Sequence, residues 1–180
     1  MSSVDGRLIN ERWTPPFNGE TQTEVVAEYA KAGKELATSA WMFGLNTARA
    51  FLPEKYLPEN ETPAGKADIF RVEKTSERWF IVSDPNGEIR YNKNTVRGDN
   101  IICLLSRNVS KNYLYHLRSA GISYVFAGDD GSDLTEALES LHKYFGINSI
   151  SLQGGGIING AFLKAGLIDE LSLAIYPGID

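Results

Sequence analysis

The chain has 180 residues, of which 42% are hydrophobic, 11% aromatic and 23% charged. A chain of this size buries about 70% of its unfolded surface around one core, and the composition excludes disordered and collagen-like chains. Eighteen Lys and Arg stand against 23 Asp and Glu for a net charge of −5, so no positive field gathers a polyanion and nucleic acid is not an expected ligand. The longest apolar runs, Ile101 to Leu105 and Leu171 to Tyr176, are strand-length and far below the roughly 20 residues of a membrane helix. No secretory leader pattern opens the chain, and the expected location is cytoplasmic, with no membrane partner.

Taken in chain order, residues 1–20 read as irregular, broken by Pro15-Pro16 and Asn18-Gly19. A helix is predicted over Thr21 to Lys34 behind a Thr cap, then a short strand from Thr38 to Phe43 that ends at Gly44, and a polar helix or turn from Asn46-Thr47. Residues 53–66, with Pro53, Pro58 and Pro63, read as a solvent loop. Arg78 to Ser83 and Glu88 to Tyr91 flank Asp84-Pro85-Asn86-Gly87, a composition for a hairpin or a tight excursion. A strand over 100–106 follows, where Cys103 reads as a buried core thiol. Next come a helix from Ser110 to Ala120 ending at Gly121, and a strand from Ile122 to Ala127. The clearest element is a helix over 133–145, with Asp133 and Glu136 spaced as a capping-box variant and Gly146 past its end. A strand over 148–152, three glycines, a helix over 157–165 ending at Gly166 and a strand over 171–176 complete the pattern. From about residue 66 this alternation predicts an α/β sheet flanked by helices. His116 and His142 fall in helical stretches without ligand-spaced companions, so no metal site is expected. Both ends read as cut in mid-motif, so residues 1–180 are expected to form a single domain truncated at both ends.

The segment that carries chemistry runs from Ser149 to Phe162, a strand entering Gly154-Gly155-Gly156 and then a helix. Such a junction aims backbone N–H groups and the positive end of the helix dipole at one point, and the missing Cβ atoms admit a phosphate. The same glycines would also serve a plain tight turn. A Walker A loop needs Gly-Lys-Ser/Thr, whereas Ile157 follows here. A Rossmann fingerprint needs a glycine at Asn159 and an acid at the end of the next strand, whereas Asp169 and Glu170 precede theirs.

The run Leu152-Gln153-Gly154-Gly155-Gly156-Ile157-Ile158-Asn159-Gly160-Ala161-Phe162-Leu163-Lys164-Ala165-Gly166-Leu167-Ile168-Asp169-Glu170-Leu171 closely resembles a signature of the reductase domain of the riboflavin-biosynthesis deaminase-reductases, members of the dihydrofolate-reductase-like superfamily. Ser3-Val4-Asp5-Gly6-Arg7 is similar to that family's opening motif and Gly44-Leu45-Asn46-Thr47 to its glycine-to-threonine turn. The three motifs keep the family's order across almost the whole chain. The resemblance implies a three-layer α/β/α fold with a mostly parallel mixed central sheet, here lacking terminal strands, and an NADPH-dependent reductase working as a homodimer. It implies cofactor contacts at Gly44, Thr47, Ser106, Gly154, Gly155, Gly156, Ile157, Ile158 and Asn159. The residues themselves add Arg107 for the 2′-phosphate, because a guanidinium fork suits that group, although a plain solvated arginine fits equally. By the same resemblance Asp5 and Trp13 border the substrate pocket. Asp-Gly is also a common turn pair, and Trp13 would serve equally as a core or lid aromatic.

Two departures bear on the substrate. Gln153 stands where the family has Glu, and it hydrogen-bonds without carrying charge or acting as a base. The family's arginine segment after the threonine is replaced by Arg49-Ala50-Phe51-Leu52-Pro53, so a phosphorylated substrate would need another clamp among Arg7, Arg12, Lys34 and Arg49. No deaminase zinc motif is present. The expected reaction is hydride transfer to a pyrimidine-type substrate of the phosphoribosylaminouracil kind, with Asp5 or a water assisting protonation and Gln153 orienting the pyrimidine. The alternative is a non-catalytic nucleotide-binding or oligomeric module that keeps the glycine junction.

Overall fold

The computed structural model describes residues 1–8, 10–58 and 68–180, so the expected proline-rich loop lies outside the described residues from position 59 onward. These residues form two compact units, Met1–Ala37 with Ile168–Asp180, and Thr38–Leu167.

In the first unit β1 (Ser2–Ser3) pairs in parallel with β8 (Ile175–Tyr176). The opening expected to be irregular therefore contains a short strand, and the strand expected over 171–176 shrinks to its last two residues. The cause is shared, because β1 offers a ladder only two residues long. The Trp13 and Tyr176 rings lie 4.6 Å apart, and the Tyr176 hydroxyl donates to the Thr14 carbonyl at 3.0 Å. Helix α1 (Gln22–Glu35) starts where the Thr cap predicts. Thr21 Oγ1 accepts from Glu24 N at 3.3 Å and Glu24 Oε2 accepts from Thr21 N at 2.7 Å, which satisfies two donors at the helix start reciprocally.

The second unit holds the main sheet: β2 (Ala40–Gly44), β3 (Trp79–Ser83), β4 (Thr95–Val96), β5 (Asp99–Leu105), β6 (Ser123–Phe126) and β7 (Ile150–Leu152). Across the sheet the parallel strands run β6, β5, β3, β2, β7, and β4 pairs antiparallel with the start of β5. Helices α2 (Leu45–Ala48), α3 (Lys111–Ser119), α4 (Leu134–Phe145) and α5 (Gly156–Lys164) complete the unit.

Strand side chains alternate between two cores, as period-2 geometry requires. Phe80, Val82, Ile101, Cys103 and Leu105 meet Tyr113, Leu114 and Leu117 of α3 on one face. Trp79, Ile81, Ile102 and Leu104 meet Leu134, Ala137 and Leu141 of α4 and Ile158 and Phe162 of α5 on the other. Buried apolar residues on both faces account for the near-continuous hydrophobic reading of β3 and β5, and Cys103 is fully buried as expected. The result is the expected α/β architecture with a mixed sheet and helices on both sides.

Two local readings are refined. Glu88 to Tyr91 does not return as a hairpin strand. The Asp84 carboxylate captures the amides of Glu88 and Ile89 at 2.9 and 3.0 Å, which selects the tight excursion of the two expected forms, and Ile89 makes only an isolated antiparallel bridge with Lys55. At α4, Asp133 Oδ1 accepts from Glu136 N at 2.9 Å, but the Glu136 carboxylate does not close the box. It accepts from Gly128 N at 3.0 Å and from Arg107.

Candidate functional site

The chain passes from β2 through β3 and β5 to β6 in one direction across the sheet, and then returns to lay β7 on the other side of β2. Beyond the carboxyl ends of β2 and β7 the two connections must diverge, which is where open α/β sheets hold ligands. The two ends are joined closely: Gln153 N donates to Met42 O and Gly44 N to Gly154 O, both at 2.8 Å. Gly154 has φ +94°, a backbone conformation that a Cβ disfavours. The Gly154–Gly155 peptide is cis.

Helix α5 begins at once. Its N-cap is Gly155, no side chain caps it, and Asn159 N to Gly155 O at 3.1 Å is the first bond of the helical ladder. The amides of Gly156, Ile157 and Ile158 are therefore left for a ligand. The approach is tight on the protein side. A Cβ on Gly155 would lie 3.3 Å from Thr47 Oγ1, and one on Gly44 would lie 3.1 Å from Ile158 Cγ2, whereas a Cβ on Gly156 would meet nothing within 4 Å. Gly156 faces open space, and a cleft of about 820 Å³ occupies it, within the range of small-molecule and cofactor sites.

The cleft wall combines the ends of several strands. Gly44, Leu45 and Asn46 follow β2, Ser83 and Pro85 close β3, and Gly131, Ser132 and Leu134 follow β6. On α5, Ile157, Ala161, Lys164 and Ala165 line it, at the i, i+4, i+7 and i+8 spacing of one helical face. Ile157 is 84% exposed, an apolar side chain at the cleft edge that a ligand would cover. Among the described residues the lining contains one cation, Lys164, and no carboxylate.

Asp84 holds the β3 side of this wall. It is 0% exposed, and besides the two amides it accepts from the Tyr113 hydroxyl at 3.0 Å. Burial raises its carboxyl above the ordinary range despite those bonds. In the loop it fixes, Pro85 O accepts from Ser106 N at 3.0 Å. The Pro85 ring presses on Gly131, where a Cβ would stand 2.5 Å from Pro85 Cβ.

Of the residues singled out from the sequence, Gly44, Gly155, Gly156, Ile157 and Ile158 line the cleft. Thr47 stands behind Gly155, and the Asn159 side chain lies beside Gly154. Ser106 is at the end of β5 but only 3% exposed, outside the cleft lining. Arg107, beside it, pairs with Glu136 and approaches Asp129 at 4.0 Å. Gln153 Nε2 donates to Ser151 Oγ at 2.6 Å. Asp5 and Trp13 belong to the first unit. Asp5 Oδ1 accepts from Ser3 Oγ at 2.7 Å and from Asp180 N at 3.2 Å, and the serine bond foremost lowers its carboxyl below the usual range. Trp13 lines a smaller pocket of about 320 Å³ with Pro15, Pro16, Thr21 and Tyr176. Among the clamp candidates, Arg12 bonds Asp180 at 2.9 Å and Arg49 bonds Glu88 at 2.6 Å.

Ser83, Pro85, Gly131, Ser132 and Lys164 escaped the sequence reading. The helical spacing from Ile157 would have pointed to Lys164, whereas the loops after β3 and β6 carry no local sign of where they meet.

A mostly parallel α/β sheet with an uncapped helix start at its switch point has the arrangement at which open α/β proteins commonly hold phosphate groups. The family comparison makes this specific: the RibD C-terminal domain family matches residues 1–179, and the chain belongs to that family, a riboflavin-pathway reductase domain with the dihydrofolate-reductase-like fold. Among the described residues no helix is long and apolar enough to cross a membrane.

Proposed function

We propose that the chain is an NADPH-dependent reductase that transfers hydride to a pyrimidine-type substrate resembling phosphoribosylaminouracil, as a cytoplasmic homodimer. The observation that carries this reading is the uncapped start of α5, whose three unbonded amides open onto an 820 Å³ cleft at the sheet's switch point. Gly155 and Gly156 keep that nest free of side chains, Thr47 supports Gly155 from behind, and Gly44, Ile157, Ile158 and Asn159 complete the cradle. Ser106 and Arg107 lie at the neighbouring strand end.

The dinucleotide, when bound, supplies the hydride, so this chain's part is to place the reacting carbon and keep water away. A proton must reach the heteroatom that gives up its double bond. In the first unit, Asp5 is held ionised by Ser3 and its Oδ2 is approached by Arg7 at 3.9 Å, so it is not itself suited to giving up a proton. Gln153 presents an amide for the pyrimidine edge. The non-catalytic alternative rests on Gln153, whose Nε2 is turned to Ser151, and turnover of NADPH with aminopyrimidine substrates separates the two.

The direct test is a titration with NADPH that follows tryptophan quenching in wild type and Gly155→Asp. A Cβ at this N-cap position points at Thr47 Oγ1, from where the aspartate carboxylate caps the free amides of α5 and competes with a phosphate; saturable binding in the wild type that disappears in a folded variant supports the reading. Undiminished NADPH affinity in Gly155→Asp overturns the site.

A further inference from the structure

We infer that Lys164 is the residue that selects a cofactor carrying a 2′-phosphate on its adenosine ribose; the inference rests on the dinucleotide reading of the cleft. A nucleotide site that prefers an unphosphorylated ribose carries a carboxylate to accept from the 2′-hydroxyl, and one that prefers the phosphorylated ribose replaces that acid with a cation. Among the described residues this cleft has no carboxylate in its lining and a single cation, Lys164. No lining residue opposes a phosphate placed there with a like charge, and Ser83 and Asn46 line the same space to supply neutral hydrogen bonds, while the Ser132 hydroxyl is engaged by Asp130 at 2.6 Å.

Position along α5 supports the assignment. Lys164 lies eight residues beyond Gly156, so its Cα is about 12 Å along the axis from the helix start. Helical side chains lean back toward the N-terminus, which brings the ammonium closer to the amide nest. That leaves the span of a ribose between a diphosphate on the nest and a second phosphate at Lys164.

The competing cation is Arg107, and it is already committed. Its guanidinium bonds Glu136, approaches Asp129 and covers the Phe126 ring at 5.3 Å, so binding a phosphate would require leaving two acids. Lys164 forms no ion pair among the described residues. Its placement in the last turn of α5 also suits the helix dipole. That role explains a cation at this position, but not the absence of carboxylates from the lining of the cleft.

Calorimetric titration with 2′,5′-ADP and with 5′-ADP tests the assignment without relying on turnover. Wild type is expected to bind 2′,5′-ADP more tightly. Lys164→Gln is expected to weaken 2′,5′-ADP by about 10- to 100-fold, the weight of a charge-assisted hydrogen bond, with 5′-ADP unchanged, and Lys164→Arg is expected to retain the preference. A preference that survives Lys164→Gln but disappears in Arg107→Gln overturns the inference and leaves the nucleotide site standing. Equal weakening of both ligands in Lys164→Gln, or equal affinities in wild type, also overturns it. Failure of the wild type to bind either ligand removes the dinucleotide reading itself.

Discussion

Replacing Asp84 separates the two things its carboxylate does, accepting hydrogen bonds and carrying a buried charge. Oδ2 alone lies within bonding distance of all three donors, Glu88 N at 2.9 Å, Ile89 N at 3.0 Å and the Tyr113 hydroxyl at 3.0 Å. The Asp84→Asn variant, with its amide carbonyl oxygen in the Oδ2 position, keeps that acceptor and loses the bond from Glu88 N to Oδ1 at 2.9 Å. The expected cost is about 1 kcal/mol. Asp84→Ala leaves two amides without an acceptor, one of them on the fully buried Ile89. That costs about 3 kcal/mol, a large part of a domain's typical stability. Urea unfolding at neutral pH reads the difference. Because the Asp84 loop carries Pro85 into the cleft wall, Asp84→Ala should also weaken NADPH binding under conditions where the variant is fully folded, and Asp84→Asn should not. Equal destabilisation by the two substitutions would refute the acceptor argument, since charge would then be what matters.

The same pair fixes a sign for pH. Burial raises the folded-state pKa of Asp84, so the native state holds this proton more tightly than the unfolded chain, whose value is about 3.9. The associated stability is fully present below that value and is lost as pH rises through the folded pKa. Asp84→Asn has no such proton, so the wild type should lose ground to it on passing from about pH 4 upward. A difference that stays flat across that range contradicts the raised pKa.

The other outcomes concern the cleft and its supports. Gly156→Ala meets nothing within 4 Å and should leave stability unchanged or raise it by about 0.5 kcal/mol. The added methyl intrudes on the nest, so NADPH affinity should fall at least about tenfold; unchanged affinity on titration would place the phosphate elsewhere. Gly131→Ala combines a backbone at φ +84° with a Cβ 2.5 Å from Pro85 and should cost about 2–4 kcal/mol by thermal unfolding, with loosened binding at the β3 side of the cleft. Asp133→Ala removes the N-cap bond to Glu136 and should cost about 1 kcal/mol by urea unfolding, with no direct effect on the amide nest.

What the sequence disclosed and what it withheld divide along a physical line. Caps are local, and Thr21, Asp133 and Gly146 stand at the helix ends where their spacing predicted. The glycine junction is local too, because a strand, three glycines and a helix in succession dictate where unbonded amides point. The failures involve partners that the local pattern does not show. Residues 171–174 have strand chemistry, but β1 supplies only two residues of ladder. Between Glu88 and Tyr91 the sequence leaves a hairpin and a tight excursion both open, and a side chain four residues back decides for the excursion by capturing the first amide. Arg107 reads as a free guanidinium in sequence, and it is Glu136, 29 residues later, that occupies it. Lys164 reads as an ordinary helix-end lysine, and only the return of β7 beside β2 turns its helical face toward Ser83 and Ser132 across a common cleft. A backbone nest is thus readable from adjacent residues, whereas the charge that discriminates between ligands depends on which distant acids the fold brings near each cation.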